Sequence, residues 1–418
     1  MLLRKTPLLL LLLIIGFASC KKANVTPPNT NKGKNLVLTL VEQQKVTADN
    51  AFALKLFKNL DSANTSNANL FASPLSVSFA LGMTSNGANG QTHTAMLNAL
   101  DFNGYTQAQV NTYFQTLITQ LPQLDPNTTI NIANSIWYKQ GFSVLPAFLS
   151  TNSTFYNAKV QALDFSSSSS ANAINNWVSA QTKGAIPAIV DQISALDIMY
   201  LVNAIYFKSS WNEKFDVAKT SDLPFFLDDN SQVQASFMDG TVDYNRYDDN
   251  SVDVFELPYS NNKYSMVIVM PAAGSNTSLH QLVSGIDSTK WETWMTGLHP
   301  VNTELKLPKF KFSYSINLNN ALSALGMGIA FSPGADFSLI NATTPLQISK
   351  VLHKAYIEVD ETGTTAAAAT SVVIGTTVSA NPPPTVINRP FLFAIRETSS
   401  GLLLFTGTVH NPNSPPTP

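Results

Sequence analysis

Apolar positions recur at helical spacing in the first half of the chain and run together or alternate in the second. In ADNAFALKLFKNLDS (48–62), Phe52, Leu56 and Leu60 fall near one face, which predicts an amphipathic helix. SPLSVSFALGMTSNGA (73–88) predicts a second, opened by Ser73 as cap and by Pro74 in the first turn, where a missing N–H costs nothing. AINNWVSAQTKGAI (173–186) predicts a third, stopped by Gly184. Strands dominate later. IMYLVNAIYFKSSW (198–211) is the near-continuous apolar run of a strand buried on both faces, and YSMVIVMP (264–271) is similar. ELKLPKFKFSYSI (304–316) alternates like a half-exposed strand, and FLFAIRE, SSG, LLLFTGTV (391–409) predicts a tight hairpin. Helices early and strands late predict an α+β domain built on large sheets.

The first residues depart from that pattern. Arg4 and Lys5 precede an apolar run from Leu8 to Ile15, too short for a permanent membrane span, and Ala18 and Ser19 then lead into Cys20. A charged start, an apolar middle and small residues predict an export signal over 1–19. Cys20, the chain's single cysteine, stands where a bacterial lipoprotein signal places its acylated residue, although Phe17 is a less usual residue than Leu three positions before the cut. The alternative is an ordinary secretory signal that happens to contain a cysteine. Residues 21–35, KKANVTPPNTNKGKN, are polar with paired prolines, so 20–35 is expected to be a flexible tether from the lipid. The folded domain is expected over 36–412, with 413–418 as a tail. The chain would then be exported and lipid-anchored at the bacterial envelope, most simply the outer membrane, or extracellular, touching membrane only through its lipid.

Composition narrows the function classes. A net charge of −2 with no basic run argues against nucleic-acid binding, which needs clustered Lys and Arg. One cysteine excludes a disulfide within the chain. No His-Glu-x-x-His, phosphate-cradling glycine loop or Gly-x-Ser-x-Gly elbow is present, and no two of the five histidines stand at metal-ligand spacing. A hydrolase with a triad dispersed along the chain stays open, because such sets are spatial rather than local.

The stretch DETGTTAAAATSVVIGTTVSANPPPTVINRPFLF (360–393) carries no Lys or Arg before Arg389 and no proline before Pro382. By composition it is either a solvated linker or a strand awaiting a sheet. Its neighbours decide how it is read. NLFASPLSVSFALGMTSNGANGQT (69–92), LVNAIYFKSSWNEKFD (201–216) and ELPYSNNKYSMVIVMP (256–271) resemble segments of the serpin family, protease inhibitors that trap their targets by a conformational change. So do LKLPKFKFSYSINLNNALSALGM (305–327), ISKVLHKAYIEVDETGTTAAAAT (348–370) and NRPFLFAIRETSSGLLLFTGTVHNP (388–412), all in the family's order. The resemblance implies the serpin fold, an α+β arrangement of large mixed sheets with a helical N-terminal half and an exposed reactive-centre loop at about 361–387.

It further implies that Glu361, Gly363, Thr364, Ala366, Ala367, Ala368, Ala369 and Thr370 form the hinge of that loop. A segment that must become an inner strand needs small, uncharged residues on its inward face and an N–H at every rung. Thr364, Ala366, Ala368, Thr370 and Val372 satisfy the first demand and the absence of proline the second, while Gly363 permits the bend. Thr365 replaces a Glu common in the family, on the side expected to face solvent. Family spacing from Glu361 puts the bait bond at Thr377–Val378, and spacing back from Pro390–Phe391 puts it at Ser379–Ala380, with Val378–Ser379 between. All candidates are small or β-branched, so the expected partners are elastase-like serine proteases, with subtilisin-like or papain-like enzymes as alternatives. Ser73, Ser76, Asn203 and His353 are implied to lie beneath the opening point of the sheet, where a His353–Asn203 pair would hold two strands shut. Trp211 is implied at the top of that sheet. The implied protein is a monomeric inhibitor, not an enzyme, requiring no cofactor or metal. A non-inhibitory member acting as a cleavable decoy or binding module is the alternative.

Overall fold

The computed structural model describes residues 33–194, 196–364 and 383–414. Helix α1 (Leu40–Ser62) opens on a capping box, with Thr39 Oγ1 accepting from the Glu42 amide and Glu42 accepting from Thr39 N. It begins eight residues before the start read from apolar spacing. Helix α2 (Pro74–Ser85) starts where expected, on the Ser73 cap. Helices α3 (Gly90–Ala99), α4 (Gln107–Gln120) and α5 (Pro146–Tyr156) complete the N-terminal helical layer, and α6 (Ser169–Gln181) ends just before the predicted Gly184 stop. The short helices α7 (Leu279–Ser284) and α8 (Ser288–Gly297) follow among the strands.

Two sheets carry the core. The larger runs β1 (Leu70–Ala72), β15 (Leu403–Val409), β14 (Phe391–Glu397), β8 (Tyr264–Pro271), β7 (Val252–Pro258), β6 (Gln232–Asp248), β9 (His299–Pro308) and β13 (Thr385–Val386), with β5 (Ser221–Phe226) also on β6. The second runs β10 (Phe310–Asn317), β11 (Leu352–Asp360), β12 (Gly363–Thr364), β4 (Met199–Ser210), β2 (Thr129–Lys139) and β3 (Lys159–Leu163). Phe71 joins the sheets: its ring stacks on Phe405 at 5.3 Å and Phe393 at 5.6 Å and meets Phe312 edge-on at 6.4 Å. Helix α2 packs between β4 and β15, while α6 covers the other face of β2 and β4 through Trp137, Ile174, Val178 and Val202.

The predicted hairpin forms as β14 and β15, paired antiparallel from Phe391–Val409 onward. The single strand expected over 304–316 does not form. It is two strands in different sheets: β9 ends at Pro308, which has no N–H for a ladder, and Lys309 N donates instead to Ser236 O at 2.8 Å before β10 begins. Residues 33–35, expected to be the end of a tether, belong to the folded domain, while 20–32 lie outside the described residues. Lys34 N donates to Leu124 O at 2.7 Å and Lys263 Nζ to Asn35 Oδ1 at 2.8 Å, so the chain is already part of the domain there.

Candidate functional site

The hinge sits at the top of the second sheet. Gly363 and Thr364 pair antiparallel with Asp360 and Val359 of β11 on one side and with Ser210 and Ser209 of β4 on the other. Only glycine fits at 363: φ is +150°, and a Cβ would lie 2.1 Å from Ser209 O. Asp360 Oδ1 shapes the turn by accepting from Thr362 N at 2.9 Å and from the Thr362 hydroxyl at 2.5 Å. Trp211 is buried beside the hinge and donates its backbone N–H to Thr362 O and Nε1–H to Asp360 O, each at 2.9 Å. Its ring stacks on Tyr259 at 4.7 Å and 7°, and the Tyr259 hydroxyl meets Thr364 Oγ1 at 2.5 Å. Thr364 therefore faces inward, as the alternation predicts, and already has a buried partner. Burial pushes the Tyr259 phenol well up, so it stays neutral.

Glu361 anchors the turn from the side. Its carboxylate accepts from Thr220 Oγ1 at 2.7 Å and from Lys309 Nζ at 2.9 Å. Burial opposes its ionisation, but the Thr220 and Lys309 hydrogen bonds outweigh burial and hold the carboxyl below its usual range. Tyr259, Thr220 and Lys309 were missed from sequence. Each is a common residue type far along the chain from the hinge, and only the fold brings it near.

Below Thr364 the second sheet parts. Among the described residues β4 pairs with β2 and β11 with β10, and β12 alone joins the two halves. A cavity of about 300 Å³ lies between them, lined by Met199–Asn203 of β4, Ile348–His353 leading into β11, and Ser76, Val77 and Ala80 of α2. This opening explains why Met199, Tyr200 and Leu201 are only half-buried, although their apolar run reads as a strand covered on both faces.

Ser73, Ser76, Asn203 and His353 do gather under this opening, but not as the expected pair. No hydrogen bond joins His353 to Asn203 among the described residues. Instead His353 Nε2 accepts from Ser73 N at 3.1 Å, and Asn203 Oδ1 accepts from the Ser76 hydroxyl. Asn203 Nδ2 donates to Asn134 Oδ1 at 2.7 Å, and Ser73 Oγ donates to Leu404 O at 2.8 Å. With β4 and β11 apart, each polar group bonds to the first turn of α2 or to its own side of the gap, since a buried polar group needs some partner. Burial pushes the His353 imidazole down to about 4, so it is neutral with its Nε2 lone pair facing Ser73.

The far stalk of the loop is also placed. Thr385 and Val386 pair parallel with Leu305 and Lys306, and Arg389 bonds to Pro271 O and to Asp253. Ala366, Ala367, Ala368, Ala369 and Thr370, the bait candidates Thr377, Val378, Ser379 and Ala380, and Cys20 lie outside the described residues. Among the described residues, the hinge and gap bring together no three His, Cys, Asp or Glu ligand atoms.

This architecture has known counterparts. A family model described as Serpin (serine protease inhibitor) matches residues 47–412. The chain belongs to the serpin family. Among curated serpin relatives, the leukocyte elastase inhibitor of Xenopus laevis is 35% identical over 371 residues, covering 86% of this chain and 97% of that protein. The leukocyte elastase inhibitor of Homo sapiens is 33% identical, covering 88% of this chain and 100% of the other. Among solved serpin structures, the thermophilic serpin tengpin in its native state superposes with a TM-score of 0.80 at 33% identity, covering 90% of this chain and 96% of tengpin. Thyroxine-binding globulin in complex with thyroxine gives 0.79 at 29% identity, covering 89% and 100%.

Proposed function

We propose that this serpin inhibits serine endopeptidases that cut after small residues, in the manner of elastase, by acting as a suicide substrate. The protease nucleophile attacks the carbonyl carbon of a bait residue within Thr377–Ala380, the peptide bond breaks, and the amine of the next residue leaves with the catalytic proton. The bait residue stays esterified to the enzyme. The freed segment then enters the second sheet from the hinge downward. About fifteen residues at ~3.3 Å each span roughly 50 Å, so the tethered protease is carried from one pole of the molecule to the other before water can release it.

The observation that carries this reading is the seating of Gly363–Thr364 between β4 and β11 above a parted sheet. The first rung of an inserted strand is in place, and the edges below it have no ladder between them. Bait chemistry supports the target class. A trypsin-type pocket needs Lys or Arg and a chymotrypsin-type pocket a large side chain, and residues 377–380 supply neither. The names of the leukocyte elastase inhibitors agree with it. The reading extends to export with acylation of Cys20, which would hold the inhibitor at a bacterial envelope, with release to the extracellular space as the alternative, and to a monomer that meets its protease one to one.

Mixing the purified protein with an elastase-like protease tests the reading. A covalent band of summed mass that survives boiling in SDS is expected. Cleavage of the loop with the protease left fully active would favour the second reading, a non-inhibitory decoy or binding module, for which the likeness to thyroxine-binding globulin is the supporting observation.

A further inference from the structure

On the side of the molecule where α1 ends, three residues far apart in sequence meet. Asp61 stands on the last turn of α1, His280 on α7 and His410 just beyond the end of β15, with ligand atoms all within 4.8 Å of one another. Asp61 and His410 are buried, at 4% and 2% exposure, and His280 lies at the rim.

The hydrogen bonds leave this cluster short of something. His410 Nδ1 lies 2.8 Å from Asp228 Oδ2, a carboxylate that only accepts, so Nδ1 carries the proton and the Nε2 lone pair is free. That Nε2 is buried without a hydrogen-bond partner, and so is Asp61 Oδ1. His280 bridges two oxygens, with Nε2 2.8 Å from Asn67 Oδ1 and Nδ1 2.8 Å from Asp61 Oδ2. Whichever way Asn67 is turned, the Asp61 contact calls for a positive centre at Nδ1, either the ring's own proton or a cation in its place. A free imidazole lone pair, the exchangeable Nδ1 of a second ring and a carboxylate with one unpartnered oxygen thus converge, and each ring is held by an outer side chain. That is the arrangement in which a carboxylate or amide behind a histidine sets up a metal ligand.

We infer that Asp61, His280 and His410 form a binding site for a zinc-type divalent cation, with His410 Nε2, His280 Nδ1 and an Asp61 oxygen as ligands. Two nitrogens and one oxygen suit zinc and its surrogates cobalt and nickel rather than magnesium or calcium. Tetrahedral zinc at its usual bond lengths wants ligand atoms roughly 3.3 Å apart, so the widest spacing, at most 4.8 Å, must close by up to about 1.5 Å and the 2.8 Å His280–Asp61 contact must open by roughly half an ångström. Water would take the fourth position. Bound metal would clamp the end of α1, α7 and the chain leaving β15 to one another. Sequence spacing gave no sign of it, because the ligands lie 219 and 130 residues apart and only the fold joins them.

Protein stripped with a chelator and titrated with zinc chloride should bind one zinc per chain, melt several degrees higher in excess zinc, and return to its starting melting temperature on adding chelator. Cobalt chloride should give the visible absorption of a four-coordinate site. His280→Ala, at the rim, should weaken binding at least tenfold while leaving the metal-free melting temperature nearly unchanged. Asp228→Asn, behind His410, should weaken it about tenfold. Exposed His299→Ala should bind as the parent does. Absence of saturable binding, or binding equally tight in His280→Ala, would overturn the assignment.

Discussion

On the proposed mechanism Thr364 is the residue on which insertion turns, because it already occupies an inward position and meets the buried Tyr259 hydroxyl. An arginine there would have to bury its charge without a partner, at a cost of several kcal/mol. Thr364→Arg is therefore expected to convert the inhibitor into a substrate, read as loss of the SDS-stable complex with a matching gain of cleaved chain; an undiminished yield of complex would refute the role given to the hinge. His353 makes a prediction about pH. Its folded value of about 4 lies below the ordinary 6.5, so its neutral form contributes stability above pH 6.5 that is lost as pH falls towards 4. The full effect is about 3 kcal/mol. Buried Asp49, raised to about 7 by burial, acts in the opposite sense, stabilising increasingly as pH falls below 7. The difference between parent and His353→Gln isolates the histidine: urea midpoints at pH 7 and pH 4 should show the parent losing stability relative to the variant. A constant difference would mean that His353 is not held neutral. At this scale Gly363 and the inward Thr364 were legible, since backbone freedom and alternation depend on residue type alone. The Lys309 and Thr220 partners of Glu361 were not, and the expected His353–Asn203 pair gave way to bonds with α2, because pairing depends on whether two strands touch.

Among the elements, β4 and β11 are unusual in presenting facing edges without a ladder between them below β12. Amides on an open edge lack partners and exchange faster than those in a closed core sheet. Hydrogen exchange is expected to be faster on the gap-facing amides of 199–207 and 352–358 than in 391–397 and 403–409, and to slow once the loop has been cut. Equal protection in the intact protein would contradict an open gap. Elements whose apolar pattern is local and uninterrupted were readable from sequence: α2 with its Ser73 cap, the buried β8, and the hairpin β14–β15. The run 304–316 misled because its alternation continues through Pro308 while the chain passes from one sheet to the other. Periodicity reports which face is buried, not which sheet buries it.

On the proposed mechanism the whole molecule is held kinetically short of its most stable form, with the sheet open between β4 and β11 below β12 and a loop whose two described ends are each paired to a strand. Gly363–Thr364 secure one end and Thr385–Val386 the other, so intact connections oppose full insertion. Cutting between them removes that restraint. By composition alone residues 360–393 read equally as linker or strand, and it was the resemblance of their neighbours that implied an inserting loop; the parted sheet that would receive it became visible only in the fold, where the hinge lies between two strands that do not pair. The melting temperature before and after limited cleavage of the loop by an elastase-like protease tests this most directly. Completing a strand of about fifteen residues, at ~1 kcal/mol for each hydrogen bond gained, should raise the melting temperature by about 20 °C or more. A cleaved form that melts at the same temperature as the intact protein, or lower, would contradict insertion and with it the mechanism.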